Sequence, residues 1–327
     1  MKYTFILSKN IYEIGLYDDL RELENVNLYV SERKYYNKFW NYMHKHNLVR
    51  NFMYKMAYKF DEKSLKNNND NCIVLDSGVL KAYPLDYILY LKKKYNSKLV
   101  LILLNSMNAS SGNVKDVMSE ILSDSWDTVL TFDKEDAEKY GWQYFGLNYF
   151  STPKNVENVD KTESDIYFVG GLKGNRNDLI YDSFKRLNDN CDKVIFDIYC
   201  YNNEQLKEVK YADKIRYYTN WKTYKEIKEE VQKANCILEI LQENQHTQSV
   251  RYFESIYYNK KLLTNNPDIV NLPYYDERYM KYFSKSEDID TEWVKKKEHI
   301  NYNYAGEFSP LKIIEMIEEK IGKTYEY

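Results

Sequence analysis

Two uninterrupted apolar runs, Cys72–Leu75 and Leu99–Leu104, constrain the fold of this 327-residue chain more than any other feature of its sequence. The longer run is far short of the roughly 20 residues that a membrane span needs. Short continuous apolar runs are typical of strands buried on both faces of a parallel sheet. A helix is predicted between them at Leu85–Tyr95, entered at Pro84. The first half of the chain is therefore predicted to alternate strands and helices.

Further segments extend this pattern along the chain. In the first half they are the strands Tyr3–Leu7, Asn27–Val30 and Thr128–Thr131 and the helix Lys134–Tyr140. The pattern restarts in the second half with the strands Ile166–Val169, Lys193–Tyr199, Ile215–Tyr218, Cys236–Leu241 and Lys261–Thr264. The helices predicted among these strands are Asp178–Leu187, Tyr224–Ala234 and Gln248–Tyr258. Alternation of this kind predicts an α/β fold.

A polar, proline-containing segment, residues 151–164, separates the two patterns and predicts an interdomain linker. We assign residues 1–155 to a first domain and 156–308 to a second. A helix is predicted over 309–327, long enough to cross back to the first domain, because Ser309 and Pro310 form a start signal. Each domain is expected to be Rossmann-like and doubly wound. Ligands bind beyond the carboxyl ends of such strands, so two such domains facing each other form a cleft.

Composition and cysteine spacing limit the class and location of the protein. Lys and Arg total 47 against 50 Asp and Glu, a formal net charge of −3, which excludes a globally basic nucleic-acid coat. The four cysteines show no zinc-ligand spacing, and we interpret them as buried thiols in a reducing cytoplasm. The first ten residues show no signal-peptide core, which also favours a cytoplasmic location.

A glycine-rich turn follows the first predicted strand of the second domain. The chain has only ten glycines, and three of them, Gly170, Gly171 and Gly174, lie here. Backbone amides in such a turn can approach a phosphate, helped by the next helix N-terminus. Lys173 and Arg176 add positive charge. The turn predicts a phosphate site, although a tight turn with positive φ would select glycine as well.

A polar loop and helix after Cys236–Leu241 form the second candidate site. Gln248 and Arg251 are predicted on one helix face with Glu254 beside them. Arg251 is suited to bind a diphosphate, and Glu254 is suited to bind a ribose diol. On a solvated helix, however, the same two residues would be an ordinary ion pair that contributes little to stability. Three apolar residues are expected to face inward: Val250, Phe253 and Tyr257.

The order of these features resembles the donor domain of GT-B-fold glycosyltransferases, most of all bacterial enzymes of lipopolysaccharide and capsular polysaccharide biosynthesis. The motifs that carry the resemblance are Phe168–Arg176, Ser249–Ser255, Lys261–Asn266 and, in the first domain, Trp126–Ala137. The resemblance implies a GT-B fold, a nucleotide-sugar donor bound by the second domain and a glycan or lipid-linked glycan acceptor bound by the first. It implies no metal or other cofactor.

The resemblance also assigns donor-binding residues. Near the donor phosphates it places Gly170, Gly171, Lys173, Arg176, Gln248, Ser249 and Arg251, with Glu254 at the ribose. His246, in the same loop, is a further donor-binding candidate, although a lone loop histidine is commonly just solvated. Retaining members often carry two glutamates separated by seven residues, and His246 occupies the first of these positions. The stereochemistry of transfer therefore stays open.

Inverting transfer needs a general base on the acceptor side. Asp76, directly after the strand Cys72–Leu75, is best placed for that role, although a carboxylate there equally suits capping the next turn. Weaker candidates are Asp18, Asp19 and Asp127. The string Asp288-Ile-Asp290 matches the metal-binding motif of the other major transferase fold, but its late, acidic context predicts a loop or helix cap.

Residues 33–60 combine basic and aromatic side chains and contain no acidic residue. Three interpretations stay open: helices with core aromatics, contact with an anionic membrane surface, and binding of single-stranded nucleic acid. Contact with a membrane fits an enzyme that extends lipid-linked glycans. In the interpretation that we favour, the chain is a cytoplasmic glycosyltransferase, peripheral on the inner membrane face, and nucleic acid is not a partner.

Two other function classes are alternatives. An NAD-dependent oxidoreductase would use the glycine turn and Asp197 as a ribose ligand, but Gly170–Gly174 does not fit GxGxxG. A non-enzymatic module would bind nucleic acid or membrane through residues 33–60.

Overall fold

The computed structural model describes residues 1–9, 11, 15–31, 65, 70–104, 106–107, 117–145, 162–220, 222–242 and 248–321. The basic aromatic stretch 33–60, residues 151–161 of the predicted linker and His246 lie outside these ranges. The chain forms two compact units, one of Met1–Ser151 with Phe308–Tyr327 and the other of Thr152–Glu307.

Strands and helices alternate through both units. The strands are β1 (Lys2–Leu7), β2 (Val26–Val30), β3 (Asn71–Asp76), β4 (Ser97–Leu103), β5 (Thr128–Thr131), β6 (Gln143–Tyr144), β7 (Ser164–Gly171), β8 (Val194–Tyr199), β9 (Arg216–Tyr218), β10 (Ala234–Glu239), β11 (Lys261–Thr264) and β12 (Met280–Tyr282). The α-helices are α1 (Leu85–Lys94), α2 (Met118–Ile121), α3 (Lys134–Tyr140), α4 (Asn177–Asn188), α5 (Asn203–Lys207), α6 (Tyr224–Lys233), α7 (Val250–Tyr257), α8 (Thr291–Lys295) and α9 (Leu311–Ile321).

The first unit holds a parallel sheet of order β2-β1-β3-β4-β5-β6. Leu99–Leu103 is fully buried, as its continuous apolar sequence predicts. The strand order reverses between β1 and β3, which makes this pair the topological switch point of the sheet. Helix α9 belongs to this unit, where Glu318 accepts a hydrogen bond from the Tyr3 hydroxyl at 2.9 Å.

The second unit holds a parallel sheet of order β12-β11-β10-β7-β8-β9, which is the Rossmann strand order with its switch point between β7 and β10. One face of the sheet packs Ile166, Phe168 and Leu238 against the side chains of α4 and α8. The α/β fold with two doubly wound sheets, predicted from the sequence, is confirmed.

Helix α7 differs from its predicted amphipathic form. Every residue from Tyr252 to Tyr257 is buried, so this helix has no solvated face along most of its length. Val250, expected to face inward, is 37% exposed at the first helical position. The strands β6 and β12 and the helices α2, α5 and α8 are not predicted from the sequence, because two to five residues carry too little periodicity to be recognised.

No helix among the described residues is long and apolar enough to span a membrane.

Candidate functional site

The glycine-rich turn at the end of β7 is tight because its glycines leave no room for side chains. A Cβ atom on Gly171 would lie 2.6 Å from the Tyr201 hydroxyl oxygen, and one on Gly170 would lie 2.8 Å from the Phe168 ring. Gly174 has a φ of +70°, a left-handed conformation that favours glycine. The turn therefore requires these glycines for its own geometry, whatever it binds. Lys173, within the turn, is exposed.

Arg176 bridges the two strands at the switch point of the second unit. Its Nη2 donates to the carbonyl of Gly171 at 2.8 Å, and its Nη1 donates to the carbonyl of Ile240 at 2.6 Å. Since Gly171 ends β7 and Ile240 follows β10, the guanidinium spans the position where ligands of open α/β sheets bind.

The charge of Arg176 is not neutralised within the described part of the chain. Its partners there are carbonyl oxygens, its buried Nε has no hydrogen-bond partner, and no described carboxylate forms an ion pair with it. Burial lowers the pKa of Arg176, but a guanidinium stays protonated in proteins. This cation can therefore pair with the negative charge of a bound anion.

Ser249 caps the start of helix α7 and connects the helix to a buried carboxylate. The Ser249 hydroxyl accepts from the Arg251 amide at 3.1 Å and donates to Glu239 Oε1. The Thr264 hydroxyl donates to Glu239 Oε2 at 2.5 Å. Burial raises the pKa of Glu239 at the end of β10. Gln248, the residue before Ser249, is partly exposed.

Sequence patterns did not identify Glu239 as part of this site. The residue was assigned only to an apolar strand, and its hydroxyl partners come from separate elements 10 and 25 residues further along the chain. One available signal was a lone acidic residue at the carboxyl end of a strand, the position at which Asp76 was recognised in the first domain.

Arg251 and Glu254 form a buried ion pair. Arg251 Nη1 lies 2.7 Å from Glu254 Oε2, and the Tyr224 hydroxyl donates to Glu254 Oε1 at 3.0 Å. The Glu254 side chain is 0% exposed and that of Arg251 is 13% exposed, which excludes the interpretation of a solvated surface pair. Burial raises the pKa of Glu254, and Arg251 opposes this shift. In this arrangement both Glu254 oxygens have protein partners, and a ribose contact stays a prediction.

Asp197, the ribose ligand of the alternative oxidoreductase, is also buried and paired. It lies two residues before the end of β8 rather than at its end. The Arg216 Nε lies 2.6 Å from its Oδ1, and the Lys222 Nζ lies 2.7 Å from its Oδ2. The Tyr167 hydroxyl donates to the same carboxylate at 2.9 Å. The oxidoreductase alternative gains no support from this geometry.

Asp76 lies at the switch point of the first unit. Its Oδ2 accepts from the Ser8 amide after β1 at 2.5 Å, and its Oδ1 accepts from the Gly78 amide at 2.8 Å. The second bond caps the 3₁₀ helix Ser77–Lys81, so the capping interpretation is confirmed. Burial raises the pKa of Asp76 to about 6 against the opposing effect of these hydrogen bonds. Within the described ranges no cation forms an ion pair with it.

The weaker acidic candidates of the first unit have structural partners. Asp18 pairs with Arg21 at 2.8 Å, and Asp19 accepts from Ser309 at 3.3 Å. Asp127 pairs with Lys92 at 2.8 Å and accepts from the Leu99 amide at 2.7 Å.

The Asp-x-Asp string acts as helix caps, as predicted. Asp290 accepts from the Trp293 amide at 3.0 Å at the start of α8, and Asp288 binds the Ser284 hydroxyl at 2.7 Å. The described residues contain no group of three or more His, Cys, Asp or Glu side chains that could hold a metal ion.

Comparison with solved structures defines the fold class. Anabaena Alr3699/HepE in complex with UDP and glucose has a TM-score of 0.51 at 9% identity, over 98% of this chain and 100% of that chain. UDP-N-acetylglucosamine 2-epimerase from Rickettsia bellii has a TM-score of 0.49 at 14% identity, covering 99% of each chain. A glycosyltransferase from Rickettsia africae ESF-5 has a TM-score of 0.47 at 11% identity, covering 99% of this chain and 100% of that chain.

No protein-family model matches the sequence, and no curated protein matches it. The structural similarity and the two doubly wound sheets show that the chain has the GT-B fold, as the resemblance implies. At such low identity the similarity shows the fold and not the reaction.

Proposed function

We propose that this protein is a glycosyltransferase that moves a sugar from a nucleotide-sugar donor to a glycan acceptor. The observation that carries the proposal is the Arg176 guanidinium, a cation without a described carboxylate partner at the switch point of a Rossmann-type sheet. A diphosphate leaving group needs cationic or amide stabilisation, and Arg176 offers it at the place where the fold binds ligands.

On the donor side, Arg176 contacts the diphosphate, with Lys173 as an exposed second cation. Gly170, Gly171, Gln248 and Ser249 line the same carboxyl edge. His246, which lies outside the described residues, is a further proposed donor-binding residue. Arg251 and Glu254 complete the donor site in this proposal, and since they hold each other, they act first by fixing helix α7. The fold of the Anabaena protein, solved with UDP and glucose, makes UDP the first nucleotide to test.

On the acceptor side, we propose Asp76 as the general base. Its carboxylate accepts the proton of the acceptor hydroxyl, whose oxygen forms the new bond to the sugar while the bond between sugar and diphosphate breaks. With a pKa raised to about 6, Asp76 is largely ionised at neutral pH and a better proton acceptor than an ordinary aspartate.

The finer assignments rest on the resemblance of the sequence. They are a lipopolysaccharide or capsule acceptor that is lipid-linked, a cytoplasmic location, contact with the inner membrane face through residues 33–60, no nucleic-acid partner, and transfer without a metal or other cofactor. We propose them together, because an enzyme that extends lipid-linked glycans must reach a membrane surface.

A thermal-shift screen against UDP, GDP, CDP, CMP and NAD, with and without Mg²⁺, tests the proposal. Saturation at 100 times the dissociation constant stabilises a protein by about 2.7 kcal/mol, which gives a measurable shift. We expect stabilisation by one nucleotide without a need for Mg²⁺, and a smaller stabilisation in Arg176→Gln. Stabilisation by NAD alone would favour the oxidoreductase, and a folded protein that binds none of the five would contradict the proposal.

A further inference from the structure

Tyr201 is an exposed aromatic residue at the carboxyl edge of the second sheet. It follows β8 by two residues, and its exposed fraction of 54% is the largest among the large apolar side chains in the described ranges. Exposure of a large aromatic ring costs free energy in water, since apolar surface is more stable when buried. An exposed ring at a ligand-binding edge therefore suggests a ligand that covers it.

The backbone and ring of Tyr201 are held in place. The Tyr201 amide donates to Gln205 Oε1 at 2.8 Å, and Gln205 Nε2 donates to the Leu172 carbonyl at 2.8 Å. One glutamine amide thus joins the loop after β8 to the glycine turn after β7. The phenol ring lies against Gly171, where a Cβ atom would be 2.6 Å from the hydroxyl oxygen and 2.9 Å from Cε2.

The ring and the guanidinium of Arg176 meet at one residue. Tyr201 covers the α-carbon of Gly171, and Arg176 donates to the carbonyl of Gly171 at 2.8 Å. The planar apolar surface and the anion site therefore lie next to each other at the end of β7. A nucleoside diphosphate has matching parts, because its ribose joins a planar base to a negatively charged diphosphate.

We propose that the Tyr201 ring is the platform on which the nucleobase of the donor stacks while Arg176 holds the diphosphate. This inference rests on the proposed function and adds a base-binding residue to it. Stacking on an aromatic ring tolerates any base, since every base has a π-face. Gln205 is then a positioning residue that keeps the platform beside the phosphate site.

Calorimetric titration of the full chain with UDP and with inorganic pyrophosphate tests the platform. Tyr201→Ala should weaken UDP binding about tenfold, within the range found for loss of base stacking on aromatic residues. Tyr201→Phe keeps the ring and should bind UDP within about twofold of the wild type. Pyrophosphate has no base, so neither substitution should change its affinity. Arg176→Gln should weaken both ligands, and circular dichroism checks that each variant is folded.

Each outcome separates this inference from the proposed function. Unchanged UDP affinity in Tyr201→Ala would overturn the platform and leave the donor site standing. An equal loss in Tyr201→Phe and Tyr201→Ala would also overturn it, since the hydroxyl and not the ring would then matter. A parallel loss of pyrophosphate would show a structural role for Tyr201. A wild-type protein that binds no nucleoside diphosphate would refute the proposed function first.

Discussion

The two sheets carry opposite charges at the same topological position. Asp76 lies at the switch point between β1 and β3 of the first unit, where backbone amides of Ser8 and Gly78 bind its carboxylate. Arg176 lies at the switch point between β7 and β10 of the second unit, where carbonyls of Gly171 and Ile240 bind its guanidinium. The edge of a parallel sheet offers backbone donors and acceptors, so the same architecture can support either charge.

Two buried carboxylates of the second unit are paired with cations, whereas a third, Glu239, is bound by the hydroxyls of Ser249 and Thr264. Asp197 faces Arg216 and Lys222, and Glu254 faces Arg251. An ionised group taken out of water without a partner is costly, and such groups concentrate at functional sites. Asp76 and Arg176 form no ion pair among the described residues and lie at switch points, and the two features together favour them as functional groups.

The largest expected effect concerns the carboxylate. Asp76→Asn should lower kcat about 10²- to 10⁴-fold, the usual contribution of a general base, with little change in donor KM. Steady-state kinetics with the donor found by thermal shift and a glycan acceptor measure it. Asp127→Asn is the matched control, since Asp127, directly before β5 of the same unit, is paired with Lys92 and should keep kcat. An equal kcat in Asp76→Asn and wild type would show that Asp76 only caps the 3₁₀ helix that follows it.

Removal of the cation from the buried Arg251–Glu254 pair should destabilise the fold. Arg251→Met leaves Glu254 buried without its cation and should lower the free energy of unfolding by about 3–5 kcal/mol. Lys185→Met, which removes an exposed pair with Asp189, should cost under about 1 kcal/mol. Urea denaturation compares the two variants. If both variants lost a similarly small free energy of unfolding, the buried Arg251–Glu254 pair would contribute no more to stability than the exposed pair.

The cation at the second switch point should matter for binding. Arg176→Gln removes charged hydrogen bonds to the diphosphate, each contributing about 1.5–3 kcal/mol, so nucleotide affinity should fall about 10- to 100-fold. Lys173→Gln, at an exposed cation of the same turn, should cost less than about fivefold. If the two variants lose equal affinity, partial burial of Arg176 at the switch point gives it no special part in binding.

The smallest effect is a pH dependence. Because burial raises the pKa of Asp76 to about 6, the rate should fall as pH drops through about 6 and reach half its plateau there. The raised pKa also means that the folded state binds this proton more tightly than the unfolded state. The contribution of Asp76 to stability should therefore decrease as pH rises from about 4 through about 6. A kcat profile without an acidic limb near pH 6 would contradict the assignment.

Most of the fold follows from local pattern. The run Leu99–Leu104 predicts a doubly buried strand because a continuous apolar segment of this length is typical of a parallel sheet covered on both faces. Helix α1 begins after Pro84, as its start signal predicts. Candidate residues at strand ends, Asp76 and the turn of Gly170 and Gly171, also follow from local sequence, because parallel strands present their carboxyl ends at one edge.

The partners of these residues depend on tertiary structure alone. Asp76 meets Ser8 across 68 positions of sequence, and Arg176 meets Ile240 across 64. Glu239 receives its hydroxyl partners from two separate elements, and the pairing of Arg251 with Glu254 becomes strong only because α7 is buried. Strand order and helix packing create these contacts. Local sequence does not specify which strand lies beside a given residue. Local sequence predicts most of the strands and helices and the charged residues at their ends, whereas packing in the folded chain sets which charges are paired with opposite charges and which are bound mainly by backbone groups.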